Sequence, residues 1–196
     1  MTRASTPRAR TFTASLPHWL ENRPLPDALA TDEERMSLVH ELADLNWRAG
    51  NGGPFAALVV DSATGELVAA GVNVVLASGL SSTHAEVVAL SLAQTTLAGW
   101  DLGADRSLEL VVNWRPCAMC YGATIWSGVR RLVIAGSGPE CEELTGFDEG
   151  PMRDDWREQL EARGISVTSD VLRDGALRTF AKYGASASTV YNARRD

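Results

Sequence analysis

The chain has 196 residues, 45% of them hydrophobic, with glycine, proline and charged residues in ordinary globular proportion. One folded domain with a real core fits that balance; disordered, collagen-like and membrane-spanning classes do not, since no apolar run approaches the roughly 20 residues of a span. Net charge is −7 and the basic residues are scattered apart from Arg130-Arg131 and Arg194-Arg195, so a nucleic-acid substrate is disfavoured and a small molecule suits the chain better.

Residues 1–30 read as an arm with little regular structure, bearing arginines but not the apolar core of a secretory signal. From Thr31 the pattern turns helical. Thr31 with Glu34 three residues on is a capping-box pair, Leu38, Leu42 and Leu45 recur at helical spacing, and Gly50 stops the helix. The runs "FAALVVD" and "ELVAAGVN" around "SATG" predict a hairpin. A second helix is predicted over "THAEVVALSLAQTTLAGW", with Thr83 as its N-cap. "SLELVVN" reads as a buried strand, and "PCAMCYGATIWSG" as a third helix with Pro116 in its first turn. "RRLVIAG", "PMRDDWREQLEARG", "ISVTSD" and "VLRDGALRTFAKYG" follow as strand, helix, strand and last helix. Alternation of this kind predicts the α/β class: a three-layer α/β/α sandwich on a mixed central sheet of about five strands. The folded domain then covers residues 31–184, and residues 185–196 form a C-terminal tail.

Two of the predicted helices open on chemically unusual residues. His84 starts one; Cys117 and Cys120 start the other, on one helix face. A helix N-terminus favours thiolates, the ligating form. One His and two Cys suit tetrahedral zinc, and three protein ligands leave a position open, which marks a catalytic rather than a structural site. Glu86, two residues after His84, is placed to carry protons. Hydrolysis of an amino group from an aromatic ring needs one group to take a proton from water and deliver it to the leaving amine. His18 and His40 have no such companions and read as surface residues; Cys141 reads as a plain loop thiol. With no signal segment, three cysteines point to a reducing cytoplasm rather than a disulfide framework.

"HAE" and "PCAMC" resemble the zinc-dependent cytidine deaminase-like superfamily, whose H-x-E and P-C-x-x-C signature is well defined. Within it the chain is most similar to bacterial guanine deaminases, through "NGGPFAALVV", "AAGVN", "GATIWSGVRRLVIA", "TGFDEGP" and "TVYNARRD". The resemblance implies one zinc per chain on His84, Cys117 and Cys120, with Glu86 as proton shuttle. It puts a substrate-binding role on Asn73 and a purine-reading or proton-transfer role on Glu149. Phe55 and Trp126 match aromatic positions near the substrate, and Ala85, Asp148 and Tyr191 join the substrate-binding candidates. It further implies a homodimer whose tail, with Tyr191 and Asn192, closes an active site. The expected reaction is hydrolytic deamination of guanine or a related aminopurine, aminotriazine or pterin. The alternatives are deamination of cytosine or a nucleoside (cytidine, guanosine, adenosine), and a zinc-bearing binding protein without turnover. One departure stands out: the family has Glu before Pro-Cys, after small residues, where this chain has Asn113-Trp114-Arg115.

Overall fold

The computed structural model describes residues 8–193. The pair Arg194-Arg195 and the ends of the predicted arm and tail lie outside them. Thirteen elements follow in chain order: α1 (His18–Glu21), α2 (Asp32–Arg48), β1 (Ala56–Asp61), β2 (Leu67–Val72), α3 (Val75–Ser78), α4 (Ala85–Thr96), β3 (Leu108–Val112), α5 (Ala118–Ser127), β4 (Arg131–Ile134), α6 (Glu140–Thr145), α7 (Trp156–Glu161), β5 (Ser166–Thr168) and α8 (Arg173–Gly184). The predicted capping box is present: the Thr31 hydroxyl accepts from the Glu34 N–H while the Glu34 carboxylate accepts from the Thr31 N–H.

The five strands form one mixed sheet in the order β2-β1-β3-β4-β5. β1 pairs antiparallel with β2 and β3, and β3-β4 and β4-β5 pair parallel. β1, β3 and almost all of β4 are buried, which is why their sequences run apolar without alternating. Successive side chains still divide between the faces. Ala56, Leu58 and Val60 join the core with α2 and α8, whereas Ala57 and Val59 join the core with α4 and α7. These are the three predicted layers.

Several local expectations change. The arm does not stay apart: Leu20 and Leu29 are buried in the core and Ala28 bridges to Glu66. Thr83 does not cap α4. Its hydroxyl donates to the Leu80 carbonyl, and His84 takes the N-cap position one residue later. Likewise Cys117 is the N-cap of α5 and Pro116 precedes the helix. His40 is half-buried, with Nε2 3.1 Å from the Leu172 carbonyl, and Cys141 sits inside α6 in the core. Of the basic pair, Arg131 is not a free surface charge. It bonds Asp32, Thr168 and Glu109, and Arg35 donates to the same fully buried Glu109 at 2.6 Å. The network satisfies a carboxylate that is otherwise costly in a central strand.

Register fixes where a site can form. Ala56 faces Val72, Ala57 faces Val112, and Val112 faces Ile134. One end of the sheet therefore carries Phe55, Asn73, Asn113 and the chain leading to Cys117. This is the carboxyl end of the parallel strands, where open α/β sheets collect ligands.

Candidate active site

α4 and α5 both begin at this sheet end, and their N-caps are His84 and Cys117. α4 is held unusually close to the sheet at Gly71, where a Cβ would lie 2.5 Å from the Ala89 nitrogen and 2.6 Å from the Ala85 carbonyl oxygen. Only glycine lets the helix, and with it the His84-Ala85-Glu86 turn, sit this deep. The ligating atoms of His84, Cys117 and Cys120 lie within 4.8 Å of one another. His84 Nδ1 is 3.5 Å from Cys117 Sγ, against about 3.6 Å for the N and S ligands of a tetrahedral zinc with bonds of about 2.1 and 2.3 Å. The donor set and its spacing fit zinc.

Electrostatics favour the ligating form at Cys117, while the Cys120 thiol is pushed up by its hydrogen bond with Cys117 and by burial. A hydrogen bond from Cys120 is the main influence drawing the Cys117 thiol down to about 4; His84 adds to it, and burial opposes. Burial presses on His84 in the other direction, yet the neighbouring Cys117 and Glu86 outweigh it and raise its pKa. Glu86 is 6% exposed, beside Cys120. Burial, first, and the Cys117 charge raise its pKa, which moves a carboxyl toward proton transfer near neutral pH.

His84, Cys117 and Glu86 border one cavity of about 270 Å³ with Phe55, Asn73, Asp148, Glu149 and Tyr191, while Cys120 is fully buried. Asn73 is buried, and its Oδ1 accepts from the Val75 N–H at 3.2 Å and from the Tyr191 hydroxyl at 2.7 Å. Two donors on Oδ1 fix the amide orientation and leave Nδ2 without a partner among the described residues, bordering the cavity. The Tyr191 hydroxyl accepts from the Gly53 N–H at 3.0 Å, so the tail is tied to its own chain's site. Asn192 extends the tie, bonding the Asp148 N–H through Oδ1 and the Gly146 carbonyl through Nδ2. Glu149 is 9% exposed, and burial followed by the charges of Cys117 and Glu86 pushes it up to about 8. Its carbonyl accepts the Ala118 N–H at 3.0 Å, which fastens this loop to the start of α5.

Two of the expected substrate-binding residues, Trp126 and Ala85, do not line the cavity. Trp126 is 82% exposed on the outer face of α5, turned away from the cavity because the helix buries Cys120, Thr124 and Ser127 instead. Ala85 is fully buried and packs in the core beneath the sheet; only its neighbours reach the cavity. Phe147, inside "TGFDEGP", carries no local signal that separates a site aromatic from a core one. Its ring packs against Phe55, Tyr183 and Tyr191 at 5.7, 5.5 and 4.8 Å, forming the aromatic wall of the site. Trp114 and Arg115 also border the cavity.

The model for the cytidine and deoxycytidylate deaminase zinc-binding region matches residues 29–136, a span that contains His84, Glu86, Cys117 and Cys120. The chain belongs to this deaminase family. Among solved structures, the guanine deaminase from Nitrosomonas europaea is 45% identical, covering 91% of this chain and 99% of its own, with a TM-score of 0.85. The guanine deaminase of Bacillus subtilis is 35% identical over 101 residues, 52% of this chain and 61% of that protein, so the match spans less than two thirds of this curated relative. The tRNA-specific adenosine deaminase of Haemophilus influenzae is 32% identical over 169 residues, 84% of this chain and 86% of that one. The family, the fold and the gathering of a His and two Cys able to hold a metal thus agree with the sequence reading.

Proposed function

We propose that the chain is a zinc-dependent aminohydrolase that converts guanine, or a closely related aminopurine, aminotriazine or pterin, to the oxo compound and ammonia. One observation carries this reading: Glu149 shares a cavity with Glu86 and with His84 and Cys117 of the metal-donor trio. When bound, zinc on the trio supplies water activated at neutral pH. The chain does the rest. Glu86 takes a proton from water and returns it to the departing amine, so that the C–N bond breaks as the C–O bond is completed. The Asn73 Nδ2 donates to a ring acceptor, and Phe55 and Phe147 flank the ring plane. Glu149, pushed up to about 8 by burial, accepts from a ring N–H and an amine on one edge; two donors to its oxygens stabilise the ionised form, and bonds to a charged acceptor are the stronger kind. Cytosine lacks that paired-donor edge and leaves a buried carboxylate short of partners, enough for about a tenfold or greater preference.

Tyr191 holds Asn73 in the donating orientation and closes the site with its ring. Steady-state kinetics of two variants test this assignment. Glu149→Gln is expected to lose most guanine turnover, about a hundredfold or more on the scale of acid–base and charge-assisted contacts, while keeping zinc. Tyr191→Phe is expected to lose roughly 5- to 50-fold in kcat/KM, the worth of a hydrogen bond to a positioned group. Near-parental kinetics from both would remove these residues from the site.

The active unit is a homodimer in a cytoplasmic setting. Met119, Gly122 and Trp126 lie along the outer face of α5, with Met119 40% and Trp126 82% exposed, an apolar stripe suited to a second copy. The three cysteines are free, as a reducing compartment requires. Light scattering at micromolar protein should give twice the chain mass, and fractionation of the source cells should place the protein with the soluble cytoplasm. A fully active monomer, or a protein recovered outside that fraction, would contradict the respective statement.

A further inference from the structure

Arg115 has no role in the chemistry above, yet it borders the same cavity. Its backbone is fixed, the N–H donating to the Gly136 carbonyl at 2.8 Å. The preceding Trp114 is bolted down as well. Its Nε1–H donates to the Gly138 carbonyl at 3.1 Å, and its ring meets Phe180 edge-on at 5.3 Å and lies under the Arg173 guanidinium. The guanidinium that this anchored segment presents is half-buried. Its Nε is shut off from solvent and has no acceptor, and among the described residues the group makes no hydrogen bond or ion pair, not even with Glu149 on the same wall. Apart from His84 it is the sole cation among the described residues that border the cavity.

A desolvated donor without an acceptor is unfavourable, and a guanidinium is always charged and offers its donors in a rigid planar fork. The fork matches two acceptors side by side, such as an oxo oxygen and the adjacent ring nitrogen of a 6-oxopurine. Glu149 makes the opposite demand, for donors. A ring that satisfies both presents an N–H/amine edge to Glu149 and an oxo/nitrogen edge to Arg115.

We propose that Arg115 is a specificity-determining residue that reads the oxo edge of the substrate, so that the site selects aminated rings bearing an oxygen acceptor over those without one. This rests on the aminohydrolase reading and extends it to the substituent opposite the leaving amine. A site built to bond a polar group rejects the analogue that lacks it strongly, because its own buried group is then left unpaired.

The test uses zinc-loaded Glu86→Gln protein, in which bound rings are not consumed, with and without Arg115→Met. Guanine and 6-thioguanine, which keeps the ring N–H and amine that Glu149 takes and puts a weakly accepting sulfur in place of the oxygen, are titrated against each. Guanine should bind at least about tenfold more tightly than 6-thioguanine when Arg115 is present, on the discrimination scale for unpaired polar groups. Arg115→Met should bring guanine down toward the affinity of 6-thioguanine while changing the latter much less, and Arg115→Lys should restore only part of the difference. Equal weakening of both rings would mean a merely structural role, and an unchanged guanine preference would mean that Arg115 does not touch the ring; either overturns the proposal. Ammonia release by the parent protein is scored separately, so that failure of the deaminase reading is distinguishable from failure of the Arg115 assignment.

Discussion

A Glu86→Gln protein is expected to fold, keep its zinc and lose turnover by about two to four orders of magnitude, the usual worth of a general acid–base group. The amide matches the carboxylate in shape, so the packing around this buried residue is preserved. It has no proton to give or take. Because the lost interaction belongs to the transition state and not to substrate binding, kcat and kcat/KM should fall together while KM stays near its parental value. Activity within about tenfold of the parent would assign proton transfer elsewhere, with Glu149 the next group on the cavity wall.

The second large effect is on the metal. Cys117→Ser is expected to lose zinc and activity together. A hydroxyl is a poor replacement for a thiolate, and even residues that only support metal ligands are worth about 10- to 100-fold in affinity. Cys117 is the stronger of the two sulfur sites to test, since its thiol is already drawn down to about 4 by Cys120 and His84, toward the form that binds. It also begins α5, so the consequences extend to stability. A ligand that binds only the folded chain stabilises it in proportion to RT ln(1 + [L]/Kd). The variant, and the parent treated with a chelator, should therefore melt at lower temperature than the zinc-loaded parent. Full zinc occupancy and full activity in Cys117→Ser would remove this residue from the donor set.

Features governed by short-range chemistry were legible in the sequence. The Thr31–Glu34 capping box needs only four residues and is present as read. Strands buried on both faces declare themselves by unbroken apolar runs, as β1 and β3 do. The metal donors were legible because His84 and the two cysteines each open a helix that follows the sheet, so their meeting follows from topology. What was not legible depends on tertiary packing. Trp126 and Cys120 lie on the same helix, and nothing local says that the tryptophan faces outward while the thiol faces in. Ala85 lies between two cavity residues, but the helix turn points it into the core. The bond that fixes Asn73 comes from Tyr191, 118 positions away, and Glu109 looks misplaced in a central strand until Arg35 and Arg131 arrive from other elements. Thr83 has the right chemistry for an N-cap, but its hydroxyl is committed to the preceding turn.

The measurement that bears most directly on the central claim is ammonia release by zinc-loaded protein, with guanine and cytidine assayed side by side. The site described here predicts one ammonia for each xanthine formed, and a kcat/KM for guanine at least about tenfold above that for cytidine, the margin set by the donor edge that Glu149 requires. A higher kcat/KM for cytidine, or no ammonia from either ring at full zinc occupancy, would contradict it.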